Sequence, residues 1–234
     1  MRNVAIILSA GKGTRMGSSV SKQYIDVLGK PVIYYTLAAF ENSIVDEIIL
    51  VISEQDRNYV EEAIINKYAF HKIKHLVYGG KERYHSVYNA LKQVEGADNV
   101  LIHDGARPLI LPEQINMLLS QMKTFKACVA GMPVKDTIKI VDANHCVTDT
   151  PERSRLWQVQ TPQVFSCSGI RDAYEKMMSD ENPAVTDDAM VLEMYGHPHL
   201  RKEIRMVELS YENIKVTTKE DLVFMEGILL KRNC

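Results

Sequence analysis

Three cations, Lys12, Arg15 and Lys22, stand within eleven residues of one another with no acid among them. They fall in and just after the run Ser9-Ala10-Gly11-Lys12-Gly13-Thr14-Arg15-Met16-Gly17. Glycines at such spacing let the backbone approach a ligand and turn its N–H groups outward, an arrangement that suits phosphate. The run is not a Walker A loop, because no Gly-Lys-Ser/Thr follows at the required distance. It is not Gly-x-Gly-x-x-Gly either, since position 16 is Met. A plain strand-to-helix turn carrying solvated charge is the alternative. A polyphosphate cradle is the reading that explains why glycines and cations coincide.

Five further segments carry chemistry-bearing types. His103-Asp104-Gly105-Ala106-Arg107-Pro108 follows the apolar run Val100-Leu101-Ile102. A carboxylate at the C-terminal end of a parallel strand is where open α/β sheets meet ligands, and one carboxylate can share Mg²⁺ with substrate phosphates. Asp104 is therefore read as functional and His103 as a core residue. Gly79-Gly80-Lys81-Glu82-Arg83, with Ser86 beyond, opens a helix; it reads equally as a backbone platform for a flat base and as ordinary surface charge. In Arg153-Ser154-Arg155-Leu156-Trp157 the lone Trp beside Arg reads as packing. Thr186-Asp187-Asp188 reads as an N-cap with an acidic first turn. In Asn213-Ile214-Lys215-Val216-Thr217, Lys215 falls inside an expected strand, and a cation between apolar neighbours needs an anionic partner. His197-Pro198-His199 lacks a nearby third ligand and is assigned to a surface turn.

These residues need a scaffold, and the apolar pattern supplies one. Val4–Leu8, Glu47–Ile52, Ile73–Tyr78, Val100–His103 and Cys128–Ala130 read as strands, several without the polar alternation of a half-exposed sheet. Helical spacing separates them: from Pro31 as first helical residue through Phe40, after Ser53 as N-cap, over Val87–Val94, and after Pro112. The alternation predicts an α/β fold, a mostly parallel sheet with helices on both faces. The rhythm breaks after Val134. Thr137–Val141 and Cys146–Thr148 read as two short strands around the turn-prone Asp142-Ala143-Asn144, forming an arm away from the core. Helices at about Gly169–Met178, Asp187–Tyr195 and Lys219–Leu230, and strands near Arg205–Leu209 and Asn213–Val216, complete one domain over residues 1–234 with a β-arm at about 134–155.

Composition narrows the function classes. The 234 residues are 46% hydrophobic and 25% charged, with a formal net charge of -2, which excludes a generally basic nucleic-acid binder. No apolar run approaches a membrane span, and Val4–Leu8 is too short for a signal-peptide core. Four scattered cysteines without Cys-x-x-Cys point away from a disulfide framework and toward a reducing cytoplasm. No convincing Ser-His-Asp or Cys-His arrangement is visible.

Taken in order, these segments resemble the 2-C-methyl-D-erythritol 4-phosphate cytidylyltransferase family, a branch of the nucleotidyltransferases that activate sugar phosphates. The resemblance runs from Val4 to about Leu222. It rests on Ala10–Met16, Lys22-Gln23-Tyr24, Gly79-Gly80 with Glu82-Arg83 and Ser86, His103–Pro108, Pro133–Thr137, Leu156-Trp157, Gln160–Gln163, Thr186-Asp187 and Asn213–Thr217. It implies a Rossmann-like fold, CTP and 2-C-methyl-D-erythritol 4-phosphate as substrates, pyrophosphate as co-product, Mg²⁺, and a homodimer whose arms cross. It matches Arg15 and Lys22 to transition-state stabilisers. Ala10, Gly11, Lys12, Gly13, Gly80, Lys81 and Ser86 match nucleotide contacts, and Asp104 a carboxylate near the ribose and metal. Arg107, Thr137, Arg153, Thr186 and Lys215 match contacts to the polyol phosphate. Three departures stand out: Ser21 where the family commonly has Pro, Lys81 where it is often acidic, and Glu208-Leu209 in place of a glycine before Ser210. A ribitol 5-phosphate cytidylyltransferase is the nearest alternative, and an inactive nucleotide-binding regulator a remoter one.

Overall fold

Runs of Val, Ile and Leu with no polar face can only be buried from both sides, and here they form the middle of a sheet covered on both faces. The computed structural model describes residues 1–11, 21–201 and 203–232. Lys12, Gly13 and Arg15 lie outside the described residues.

The first half comprises β1 (Asn3–Ser9), a 3₁₀ turn (Lys22–Tyr24), the short strands β2 (Asp26–Val27) and β3 (Lys30–Pro31), α1 (Val32–Glu41) and β4 (Glu47–Ile52). A helical stretch then passes through α2 (Arg57–Tyr59) into π turns (Val60–Asn66), followed by β5 (Ile73–Tyr78), α3 (Arg83–Leu91), β6 (Asn99–Asp104) and α4 (Pro112–Gln121). The second half comprises β7 (Ala127–Pro133), β8 (Ile140–Val141), β9 (Val147–Asp149), β10 (Trp157–Ser166), α5 (Cys167–Met177), α6 (Asp188–Tyr195), α7 (Pro198–Arg201), β11 (Ile204–Glu208) and α8 (Lys219–Arg232).

Among the described residues the main sheet has seven strands in the order β11-β7-β10-β6-β1-β4-β5. All neighbours are parallel except β10, which runs antiparallel between β6 and β7. Successive residues of β1 feed opposite layers. Ala5 and Ile7 join Leu37, Phe40 and Leu118 on the α1/α4 face, while Val4 and Ile6 join Val87, Ile170 and Tyr174 on the α3/α5 face. A third, smaller cluster of Val32, Leu109, Val216 and Met225 fastens α8 and the segment before it.

The chain leaves β1 toward β4 and β5 on one side and returns to β6 on the other, so the strand order reverses at the β1/β6 boundary. Ligands bind at such a switch point, outside the carboxyl ends of the strands. Leu8 pairs with Asp104 there.

Several expectations are corrected. Asn213–Val216 is not a strand but an extended loop, held by Asn213 and Val216 rather than by a ladder. The ten-residue β10 is a strand that the sequence pattern did not reveal. Pro31 flanks α1, whose first residue is Val32. Ser53 precedes a 3₁₀ turn and makes no side-chain cap. The arm is present: β8 and β9 pair antiparallel, and residues 135–150 are all exposed.

An arm with no buried residue adds little to the core. A chain in which residues 137–149 are replaced by a short Gly-Ser turn should keep its far-UV circular dichroism and a single cooperative thermal transition. Loss of that transition would place the arm within the folding unit.

Candidate functional site

A cleft of about 340 Å³ opens at the β1/β6 switch point. Its floor is the end of β1, from Leu8 to Gly11, and the end of β6 at Asp104. Its walls are Gly80–Arg83 with Ser86 on one side, and Lys22, Gln23 and Lys215 on the other. The fold therefore gathers Ala10, Gly11, Lys22, Gly80, Lys81, Ser86, Asp104 and Lys215, eight of the sequence-predicted residues, in one place.

Local contacts explain each placement. The buried Gln23 amide donates to the Ser9 carbonyl at 2.8 Å and to the Gly11 carbonyl at 3.4 Å, tying the 3₁₀ turn to the end of β1. This brings Lys22 to the mouth, where its Nζ donates to the Val216 carbonyl at 3.0 Å. Across the cleft the Gly80 N–H donates to Ser86 Oγ at 3.0 Å, and the Ser86 hydroxyl donates to the Glu82 carbonyl. That N–H shapes the loop. Glycine is required at both positions: a Cβ on Gly79 would collide with the Ala10 side chain, and one on Gly80 with that of His85.

Asp104 is the electrostatic centre. Its Oδ2 accepts from Lys215 Nζ at 2.6 Å and its Oδ1 faces Arg83 Nε at 3.5 Å. Burial alone would raise its pKa, but the charges of Arg83 and Lys215 outweigh it and hold the carboxyl well below the usual carboxylate range. Lys215 thus has the anionic partner that its sequence neighbourhood demanded, although its side chain is 39% exposed rather than enclosed in a strand.

Behind Asp104 lies a buried polar chain. The Asp104 N–H donates to Thr161 Oγ1 at 3.0 Å, and that hydroxyl also meets His103 Nδ1 at 3.0 Å. His103 Nε2 lies 3.2 Å from the Arg107 carbonyl, which can only accept. The partners therefore assign the proton to Nε2 and leave Nδ1 to accept from Thr161. Burial, its largest influence, pushes the His103 pKa down to about 3, so the ring is neutral. His103 is the core residue that was expected, with a structural task. Arg107 sits outside the cleft wall, its Nη1 donating to the Asn213 carbonyl at 2.8 Å. Asn213 in turn donates to Gln160 Oε1 and the Thr161 carbonyl, so β10 holds the loop that carries Lys215.

Other sequence-predicted residues lie elsewhere. Thr137 and Arg153 are exposed on the arm, with Arg153 Nη1 donating to the Lys135 carbonyl at 3.0 Å. Thr186 is exposed ahead of α6, which Asp187 caps by accepting from the Met190 N–H. His197 and His199 stack on each other at the surface. Residues that the sequence reading did not place at the site include Gln23, Thr161 and, below Arg83, Asp188, which it read as part of an acidic helix start. For Gln23 and Thr161 the only signal was their place in the matched segments.

The model of the 2-C-methyl-D-erythritol 4-phosphate cytidylyltransferase family matches residues 3–231. The chain belongs to this family. A relative bearing the family's name in Lachnoclostridium phytofermentans is 48% identical over 96% of this chain and 95% of its own. One in Lachnospira eligens is 47% identical over 98% and 99%. Among solved structures, the 4-diphosphocytidyl-2C-methyl-D-erythritol synthase of Anaerococcus prevotii superposes with a TM-score of 0.85 at 34% identity, covering 98% of this chain and 96% of that one. The cytidylyltransferase of Francisella tularensis gives 0.78 at 31%, covering 97% and 99%. In this family member the cleft, the arm and β10 are thus set in a fold shared along the whole chain.

The depressed His103 pKa has a consequence for stability. The unfolded chain takes up a proton near pH 6.5, while the folded ring refuses it until about 3. This contribution to stability is complete above about pH 6.5 and is lost as pH drops through that window, by about 1.4 kcal/mol per pH unit for one proton. Unfolding free energies measured from pH 7 to pH 4 should show this extra slope in the native chain and lose it in His103→Gln. Parallel curves would mean that His103 is charged in the fold.

Proposed function

We propose that CTP lies in the β1/β6 cleft and that the phosphate of 2-C-methyl-D-erythritol 4-phosphate attacks its α-phosphorus there. One phosphate oxygen forms the new P–O bond, the α–β bridging bond breaks, and pyrophosphate leaves with the electron pair. The organic product is 4-diphosphocytidyl-2-C-methyl-D-erythritol, an isoprenoid precursor. The observation that carries this reading is the meeting of Lys22, Lys215 and an ionised Asp104 at the switch point of a chain that is a family member from end to end. The ribitol alternative has no such support from the relatives.

A phosphate monoester is already anionic near neutral pH, so the nucleophile needs no base. The neutral, enclosed His103 is consistent with that. The task is to hold two anions against their repulsion and to stabilise charge on the non-bridging oxygens. In our reading Arg15 and Lys22 take that charge. Ala10, Gly11, Lys12, Gly13, Gly80, Lys81, Ser86 and Asp104 hold the nucleotide. Lys215 and Arg107, with Thr186, approach the polyol phosphate on the far side.

The donor set suits Mg²⁺ of a particular kind. Among the described residues no three His, Cys, Asp or Glu side chains gather as a metal cage, and Asp104 is a single ionised carboxylate on the cleft floor. That fits a magnesium ion carried mostly by CTP phosphates. Bound there, Mg²⁺ would neutralise phosphate charge and order the triphosphate.

Thr137 and Arg153 stand on an exposed arm outside the cleft lining. A two-stranded ribbon is marginal alone, and pairing with a second copy would cover it. We therefore place one domain per chain, with the arm at about 134–155 crossing to a partner and Arg153 gripping the polyol phosphate of the partner's site. Arg suits that task through its planar fork. No helix among the described residues is long and apolar enough to cross a membrane. We place the enzyme in the cytoplasm, a setting consistent with its three described cysteines being free thiols.

Lys22→Ala should lower kcat by roughly 10²–10³-fold while weakening CTP binding far less, because it removes a preorganised donor needed mainly in the transition state. Pyrophosphate release measures this, and near-native turnover would remove Lys22 from the mechanism. The crossed arm has its own check. Mixing Lys22→Ala with Arg153→Ala subunits leaves one intact site per heterodimer, so each heterodimer should recover up to half of native activity. With subunit exchange verified, no recovery would assign Arg153 to its own chain's site.

A further inference from the structure

Below the cleft, charges alternate along a line from α6 to solvent: Asp188, Arg83, Asp104, Lys215. Arg83 Nη1 and Nη2 donate to the two Asp188 oxygens at 2.9 and 2.7 Å. The Tyr174 hydroxyl donates to Asp188 Oδ1 at 2.6 Å. Asp188 is 0% exposed, on the first turn of α6. It lies outside the cleft lining and touches Asp104 only through Arg83.

This geometry divides the labour between two cations. With both terminal nitrogens of the guanidinium committed to Asp188, only the Nε edge remains for Asp104, at 3.5 Å. Lys215 makes the short contact at 2.6 Å; both side chains are partly exposed, but among the described residues Lys215 has no second carboxylate holding it as Asp188 holds Arg83. Asp104 therefore has one tight partner that can leave and one loose partner that cannot. A guanidinium without Asp188 would close on the Asp104 carboxylate with two parallel bonds, the arrangement it favours when free.

We propose that Asp188 is a positioning residue: it immobilises Arg83 so that Asp104 keeps its place on the cleft floor when Lys215 turns from it to a substrate phosphate. The inference rests on the reading above that Lys215 meets phosphate during the reaction. Replacing Asp188 by a neutral residue leaves one uncompensated positive charge beside the nucleotide cleft. That charge attracts CTP while the carboxylate is drawn out of position, so binding and turnover move in different directions.

The test uses Asp188→Asn, Arg83→Met, Arg83→Met/Asp188→Asn and Tyr174→Phe, with pyrophosphate release for kcat, calorimetry for CTP and thermal melts for stability. Asp188→Asn should lower kcat by roughly 10- to 100-fold without weakening CTP binding. Tyr174→Phe, which loosens the same buried site but leaves the ion pair, should lower the melting temperature and keep kcat within about twofold of native. In the Arg83→Met background the Asp188→Asn change should alter kcat by less than about twofold, because a residue acting through Arg83 has nothing left to act on. A folded Asp188→Asn enzyme with native kcat overturns the proposal, as do effects of the two substitutions that multiply. If Asp188→Asn alone does not fold, the double variant, which removes both charges of the pair, is compared with Arg83→Met; equal kcat supports the relay and a further tenfold loss refutes it. Absence of pyrophosphate release by the native enzyme with both substrates would instead refute the reaction.

Discussion

A buried carboxylate must be paired, and nearly everything around the cleft follows from pairing Asp104. It sits at the end of a central strand where water is largely excluded, and it stays ionised because Arg83 and Lys215 face its two oxygens. An ionised group in that position costs several kcal/mol unless its neighbours are fixed. The neighbours are fixed by parts of the chain that are remote in sequence: Arg83 by Asp188, 105 residues away, and Lys215 by a loop 111 residues beyond Asp104. The same charges that settle the carboxylate are those a polyphosphate would need.

The sheet supplies the position and β10 supplies the stiffness. Parallel strands β1 and β6 open the crevice; the antiparallel strand beside them brings in Thr161, which accepts from the Asp104 backbone, and Gln160, which accepts from Asn213 while donating to the Ser210 carbonyl. Gln163, fully buried, donates to Asp187 and accepts from the Ala189 N–H, docking the start of α6 on the same strand. One strand thus holds both the Lys215 loop and the helix that carries Asp188. Reorganisation during phosphoryl transfer costs least where the charged groups are already fixed.

What could be read from the sequence, and what could not, divides on physical lines. The strand β4 was legible residue for residue, because burial on both faces demands a nearly unbroken apolar run, and the edge strand β5 was legible through Ile73, Leu76 and Val77 although Lys74 and His75 are exposed. The strand β10 was illegible for the opposite reason. Gln158, Gln160, Thr161, Pro162 and Gln163 resemble a loop, and the partners that make Gln160 and Gln163 tolerable inside come from distant segments. Asn213–Val216 alternates like a strand yet has no ladder, since its backbone N–H groups go to the Ser210, Glu212 and Ala106 carbonyls and its Asn213 and Val216 carbonyls accept from Arg107 and Lys22. Asp104, Lys22 and Lys215 were legible as a site through residue type and position. Arg83 was noted in a segment that read equally as a base platform and as surface charge, and Asp188 as a helix-start acid, because a local pattern does not show that each is the other's partner.

The central claim is that a single ionised carboxylate organises the cations that bring two phosphates together. Pyrophosphate release by Asp104→Asn, with CTP and 2-C-methyl-D-erythritol 4-phosphate both saturating, tests it most directly. The amide keeps the shape but not the charge that holds Lys215 and faces Arg83. Turnover should fall by roughly 10²-fold or more in a protein that still melts cooperatively. A folded Asp104→Asn enzyme turning over at the native rate would contradict the account.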